Sequence, residues 1–184
     1  MEGIPENDAN AMLLAELQKM AASITLTGER SGEKLLVEVK GMAGSKQPWI
    51  KLLNTDMNVV GNFVVEVSDG IAEMQNAIVN GPYRGCGIGS AIYTMVDQAL
   101  VKLDRRLVSS KGLNPNGARF WLKFRPDDAT LQTRLLAQLD AWDKSGYLKQ
   151  FEEMQRRQGL YEKGENLSED EVREHPGIRQ QKRE

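Results

Sequence analysis

Three glycines on alternate positions, Gly85, Gly87 and Gly89, stand between an apolar strand-like run and an amphipathic helix in "NAIVNGPYRGCGIGSAIYTMVDQALVKL", Asn76 to Leu103. Glycine weakens helix and strand interiors by roughly 0.5–1 kcal/mol relative to alanine, so a cluster at such a junction needs a reason. The first N–H groups of a helix have no partner inside it, and they lie at the positive end of the helix dipole. A turn stripped of side chains lets an anion such as a pyrophosphate approach those donors. Arg84 adds a permanent cation at the rim, suited to charge-assisted hydrogen bonds. A glycine-rich loop that packs a helix tightly on a sheet explains the same residues without a ligand, and the glycines alone do not choose.

The rest of the chain supplies a mixed architecture. Met12, Leu13, Leu17, Met20 and Ala21 recur at helical spacing behind Asp8, a candidate cap. "SITLTGERSGEKLLVEV" reads as strand, turn and strand, and "WIKLLN" as a further short strand. "NVVGNFVVEV" and "IAEMQNAIV" flank "SDG", a hairpin signal. After the glycines, Ile92, Met95, Val96, Ala99 and Leu103 form one helical stripe, and "RLVSS" is a short strand. "NPNGARFWLKF" opens a helix after a Pro/Gly/Asn turn. Leu131, Leu135, Leu139 and Trp142 mark a long one, and Ser145 is placed to cap another carrying Leu148, Phe151 and Met154. Beyond Gly164 the chain is charged and nearly free of large apolar residues, the composition of a flexible tail. Helix, strands, helix, strand and then helices indicate an α/β (α+β) domain with a helical C-terminal arm.

Bulk properties remove some function classes. A formal net charge of -2 and a pI near 5.6 give no support for nucleic-acid binding through bulk charge. One cysteine, Cys86, excludes an intrachain disulfide framework, and one histidine, His175, excludes His-rich metal sites, so no metal is expected. "MEGIPENDAN" is unlike a secretory or transit peptide, and no apolar run approaches the roughly 18–20 residues that span a bilayer. A cytoplasmic protein without membrane contact is expected. The P-loop pattern is absent. A dinucleotide fold would want an acidic residue closing the next strand, whereas "RLVSS" ends in serines.

"AIVNGPYRGCGIGSAIY" resembles the acyl-CoA-binding motif of the GNAT superfamily of N-acetyltransferases, Arg/Gln-x-x-Gly-x-Gly/Ala, here Arg84-Gly85-Cys86-Gly87-Ile88-Gly89. Tyr83 just before the arginine and Val79 five residues ahead of it also fit, and the likeness runs over about Asn62 to Phe124. The resemblance implies a mixed, mostly antiparallel sheet flanked by helices. It implies acetyl-CoA, or another acyl-CoA, as co-substrate, its pyrophosphate on the N–H groups of Cys86 to Ser90 beside Arg84. Its pantetheine arm would pair with the edge of Ala77-Ile78-Val79, a form of strand addition that calls for an edge-opening bulge near Val79. Glu73, six residues before Val79, takes the place of the general base in the histone-acetyltransferase branch, a role near neutral pH that would require burial to raise its pKa, and Gln75 that of a water-holder. A solvated carboxylate on an exposed strand face explains Glu73 as well.

The chain also departs from the family. The usual tyrosine acid follows N-x-x-A-x-x-F-Y; here "NGARFW" puts Trp121 in its place, and an indole N–H is no proton acid. Tyr93, Ser109, Ser110 or water are the substitutes. Cys86 lacks a His partner and holds a variable motif position. The family's last two strands give way to the helical arm, so the expected divisions are 1–125 for the acyl-CoA-binding domain, 126–163 for the arm and 164–184 for the tail. The implied activity is N-acetylation of an amine acceptor, protein or small molecule, with homo-oligomerisation through the arm. The "LNPNGARFW" variant is similar to small phage-encoded members. That supports an alternative: a non-catalytic binding or assembly protein, in the host cytoplasm or virion, that acts through its arm.

Overall fold

The computed structural model describes residues 6–28, 32–68 and 70–162, and the chain divides into two compact units between Gly112 and Leu113. The expected division after residue 125 falls at the end of a helix inside the second unit, and the expected tail, 164–184, lies outside the described residues.

The first unit runs α1 (Glu6–Ala21), β1 (Leu26–Gly28), β2 (Glu33–Gly41), β3 (Pro48–Leu53), β4 (Val59–Ser68), β5 (Ile71–Val79), a short 3-10 turn (Gly81–Tyr83), α2 (Ile88–Val101) and β6 (Arg106–Val108). The six strands form one sheet in chain order. Each consecutive pair is antiparallel except β5 and β6, which are parallel and joined through α2. A parallel neighbour requires such a crossover, whereas hairpins suffice for the rest. The fold is thus mixed α/β with a mostly antiparallel sheet, as the order of elements indicates.

Alternation builds the core. On β4, Phe63, Val65 and Val67 are buried while Val64, Glu66 and Ser68 are half-buried; on β5, Ala72 and Met74 are buried between half-buried or exposed neighbours. α1 packs on β2, β3 and β4, α2 packs on β1, β5 and β6, and the two helices touch. Leu13 and Leu17 of α1 and Ile92, Val96 and Leu100 of α2 are fully buried, each worth roughly 1.5–3 kcal/mol of apolar transfer. Two polar hooks fix α1: Gln18 Nε2 donates to the Val39 carbonyl (3.2 Å), and buried Asn10 Oδ1 accepts from the Val67 N–H (3.3 Å). Asp8 lies inside α1 rather than capping it.

The second unit holds α3 (Pro115–Phe124), α4 (Ala129–Lys144) and α5 (Tyr147–Glu162). Asn114 caps α3 by accepting from the Gly117 N–H (2.8 Å), with Pro115 in the first turn, where its missing N–H costs nothing. Asp128 caps α4 by accepting from the Leu131 N–H (2.9 Å). Gln132 Nε2 donates to the carbonyls of Leu122 and Arg125 (both 2.9 Å), tying the end of α3 to the start of α4. Ser145 differs from expectation. It closes α4, its hydroxyl donating to the Trp142 carbonyl (3.0 Å), and Gly146 at φ +77° makes the turn into α5. No helix among the described residues is long and apolar enough to cross a membrane.

Candidate functional site

The two halves of β5 have different neighbours. Ile71, Ala72 and Glu73 are paired on both sides, with β4 and with Arg106, Leu107 and Val108 of β6. Beyond Glu73, β6 stops pairing, and Met74–Val79 is held by β4 alone. The register also slips there. Val65 pairs with Met74 and Val64 with Asn76, so Gln75 is an extra residue, a bulge that increases local twist. The expected bulge therefore exists, but four residues before Val79 rather than beside it.

The main-chain direction of the freed segment follows from its pairing. The Asn80 N–H donates to the Val60 carbonyl (2.9 Å), so hydrogen-bonded pairs alternate from there and Gly61–Val79 and Phe63–Ala77 are non-hydrogen-bonded pairs. The N–H and C=O groups of Ala77 and Val79 accordingly point away from β4, to the edge that no strand among the described residues occupies. Ala77 and Ile78 are exposed there. The Val79 carbonyl accepts from Arg84 Nε (2.7 Å). That contact fixes the guanidinium at the strand's end and leaves its two terminal nitrogens on an exposed residue.

The glycine turn follows directly. Gly85 at φ +80° and Gly87 at φ +74° occupy the left-handed region, where a Cβ costs roughly 1–2 kcal/mol. Gly87 is the N-cap of α2 and supplies no side-chain acceptor, while its carbonyl accepts from the Ala91 N–H (3.0 Å). A Cβ at Gly85, Gly87 or Gly89 would meet nothing within 4 Å. Close packing of helix on sheet thus does not account for these three glycines. Conformation accounts for two, and Gly89, without positive φ, has neither reason. Ile88 is buried and anchors the first turn, Ser90 is exposed, and half-buried Cys86 lies with Sγ 3.7 Å from the Arg84 carbonyl.

Glu73 is half-buried and sits directly opposite Glu66 on β4, and Gln75 Nε2 donates to Glu66 Oε2 (2.8 Å). Glu73, Gln75, Ala77 to Val79 and Arg84 to Ser90 therefore follow one another along a continuous edge and turn. Glu66 escaped the sequence reading. Counting outward from the "SDG" hairpin would have found it, because Ser68 pairs with Ile71 and the ladder then places Glu66 against Glu73. Tyr93 lies on the buried stripe of α2, and burial pushes its phenol up to about 12. Ser109 and Ser110 follow β6, half-buried. Trp121 is buried in α3, its ring edge-on to Phe120 and Phe124. Among the described residues no group of three or more His, Cys, Asp or Glu side chains is placed to hold a metal.

No family model and no curated protein matches the chain. Two solved structures are similar in part. One is a candidate acetyltransferase from Deinococcus radiodurans R1, at 20% identity and a TM-score of 0.32, covering 42% of this chain and 52% of that one. The other is a GCN5-related N-acetyltransferase from Sphaerobacter thermophilus, at 23% identity and a TM-score of 0.30, covering 39% of this chain and 25% of that one. The chain thus spans about half of the first and a quarter of the second.

Proposed function

We propose that the chain is an acetyl-CoA-dependent N-acyltransferase built on a GNAT-like fold. The observation that carries the reading is the continuity of two main-chain surfaces, open but for the Val79 carbonyl, which Arg84 Nε takes. The free edge at Ala77 and Val79 leads directly into a side-chain-free turn and the uncapped N-terminus of α2. An extended ligand with amides along its length and a diphosphate at one end matches both in order. Pantetheine amides would add to the strand edge, and the diphosphate would lie on the N–H groups of Cys86, Gly87, Ile88, Gly89 and Ser90, with the outer nitrogens of Arg84 beside it.

Acetyl transfer forms a C–N bond, breaks the thioester C–S bond, takes a proton from the amine and returns one to the departing thiolate. In this reading Glu73, or a water it holds, accepts the amine proton, with Gln75 helping to place that water. Glu66 stands opposite on β4, and its carboxylate holds the Gln75 side chain next along the strand. The oxyanion falls to the Val79 N–H on the free edge. Tyr93 is the weakest member of the set. A phenol at about 12 gives up its proton less readily than an ordinary tyrosine near 10, so water is the better donor to the thiolate.

A second reading has its own support: Trp121 in place of the family's tyrosine and the burial of Tyr93 favour a non-catalytic protein that keeps the acyl-CoA site. Calorimetry with acetyl-CoA, followed by thiol release with a panel of amines, separates the two. Binding with turnover supports the enzyme, and binding alone the second reading. Absence of binding at millimolar acetyl-CoA rejects both. Gly87→Glu is expected to abolish binding by placing a carboxylate in the anion site. Glu73→Gln is expected to keep binding and lower turnover by about 10²-fold or more.

A further inference from the structure

We propose that Glu33 is a positioning residue for the glycine turn, acting through Tyr83. Gly85 and Gly87 bring no side chains and Gly87 offers α2 no side-chain cap, so the turn is held from its flanks, by Ile88 after it and by Arg84 and Tyr83 before it. What fixes its entry is Tyr83, the last residue of the 3-10 turn, whose N–H donates to the Asn80 carbonyl (2.9 Å). The Tyr83 hydroxyl donates to Glu33 Oε2 (2.9 Å), fifty residues away in sequence at the start of β2. The other carboxylate oxygen, Oε1, accepts from the Thr55 N–H (2.8 Å) and the Thr55 hydroxyl (2.6 Å).

Thr55 belongs to a stiff hairpin turn between β3 and β4. The Asn54 N–H donates to the Asn58 carbonyl (3.0 Å), the Asn58 N–H to Asn54 Oδ1 (2.8 Å) and the Met57 N–H to the Asn54 carbonyl (2.9 Å). Glu33 thus couples a hydrogen-bonded hairpin turn to the entry of a turn whose glycines bring no side chains. The donors from Thr55, and then from Tyr83, hold its carboxyl below the ordinary range, so it is ionised and acceptor-only at neutral pH. A carboxylate beside an anion site would otherwise weaken anion binding. Its use here fits a role in geometry, with the charge taken up by three donors.

The inference rests on reading the turn as a diphosphate site, and two readouts keep the claims apart. Amide hydrogen exchange on the free protein reports the anchor, and acetyl-CoA titration of the wild type reports the site. Tyr83→Phe and Glu33→Ala are each expected to speed exchange of the Arg84 and Ala91 amides by about tenfold or more, with amides in the middle of α2 unchanged. Each should weaken acetyl-CoA by a similar factor. The double variant should be no worse than either single, as for two members of one unit. Glu33→Gln, which keeps an acceptor for Thr55, should recover part of both effects. Unchanged exchange in Tyr83→Phe, or exchange raised uniformly across the protein, overturns the positioning role. Local exchange raised as expected in a protein that ignores acetyl-CoA supports the anchor and removes the diphosphate reading.

Discussion

The N-termini of α2, α3 and α4 meet the same physical demand in two ways. α3 and α4 spend an Asn114 and an Asp128 side chain on their own first-turn N–H groups. α2 is preceded by Gly87 in the left-handed region with no side-chain bond at all. Capping is worth about 1 kcal/mol, so leaving α2 bare forgoes a stabilisation that the same chain secures twice elsewhere. Gly89 deepens the contrast, since a helical glycine with open space beside it costs about 0.5–1 kcal/mol relative to alanine. Both economies are reversed at once if the donors and the bare surface serve a ligand.

The most severe way to break this comparison is Gly89→Glu. Nothing stands within 4 Å of the new Cβ and φ is not in the left-handed region, so the backbone accepts the residue. A carboxylate in the first turn also suits the helix dipole, by about 0.3–1 kcal/mol. The variant should be as stable as the wild type or slightly more so in urea unfolding, yet bind acetyl-CoA at least about 100-fold more weakly, roughly 2.7 kcal/mol. Because Gly87→Glu carries a φ penalty and Gly89→Glu does not, the second separates loss of ligand from loss of fold. Unaltered affinity would mean that α2 is bare for no ligand reason.

The inner face of α2 shows what holds the helix in place of a cap. Ile92, Val96 and Leu100 are fully buried, and Tyr93 is 8% exposed. An unfolded tyrosine ionises near 10 and the folded Tyr93 at about 12, through burial. The stability this contributes is complete below pH 10 and is lost as pH rises toward and through 12. It amounts to about 3 kcal/mol at most. Urea unfolding at pH 9 and pH 11.5 should show a steeper loss for the wild type than for Tyr93→Phe. Equal slopes would mean that the phenol reaches solvent and that the helix leans on its first turn more than its packing indicates.

Legibility followed the range of the determining contacts. The mixed architecture was readable because period-2 alternation at Phe63, Val65 and Val67 and helical spacing at Ile92, Val96 and Ala99 are local signals. The glycine turn was readable as a peculiarity, but its positive φ at Gly85 and Gly87 and its open surroundings were not; without them, tight packing explained it equally well. The bulge at Gln75 depends on registration with Val64 and Val65, and the free edge on β6 ending at Val108, which are properties of pairing between strands. Ser145 misled for a simple reason: a serine between two helical patterns suits the end of one as well as the start of the next, and Gly146 at φ +77° decides it. The Glu33–Tyr83 contact spans fifty residues and carries no local pattern whatever.

The smallest effect tests the other side of the contrast. Asn114→Ala and Asp128→Ala each remove an acceptor that satisfies a first-turn N–H, of Gly117 and Leu131 respectively, and should each cost about 1 kcal/mol in urea unfolding. If the second unit unfolds separately from the first, the loss belongs to its transition alone. Gly89→Ala gives the opposite sign at α2: about 0.5–1 kcal/mol of added stability, because its Cβ meets nothing and a flexible residue is removed from the first turn. The motif this turn resembles takes Gly or Ala at this position, so affinity for acetyl-CoA should be kept as stability rises, whereas Gly89→Glu loses it. A methyl that removed binding as fully as the carboxylate does would mean that bulk rather than charge decides the loss in Gly89→Glu. Binding kept by the methyl and lost by the carboxylate would tie the bare helix to an anionic ligand, because both side chains start from the same open position.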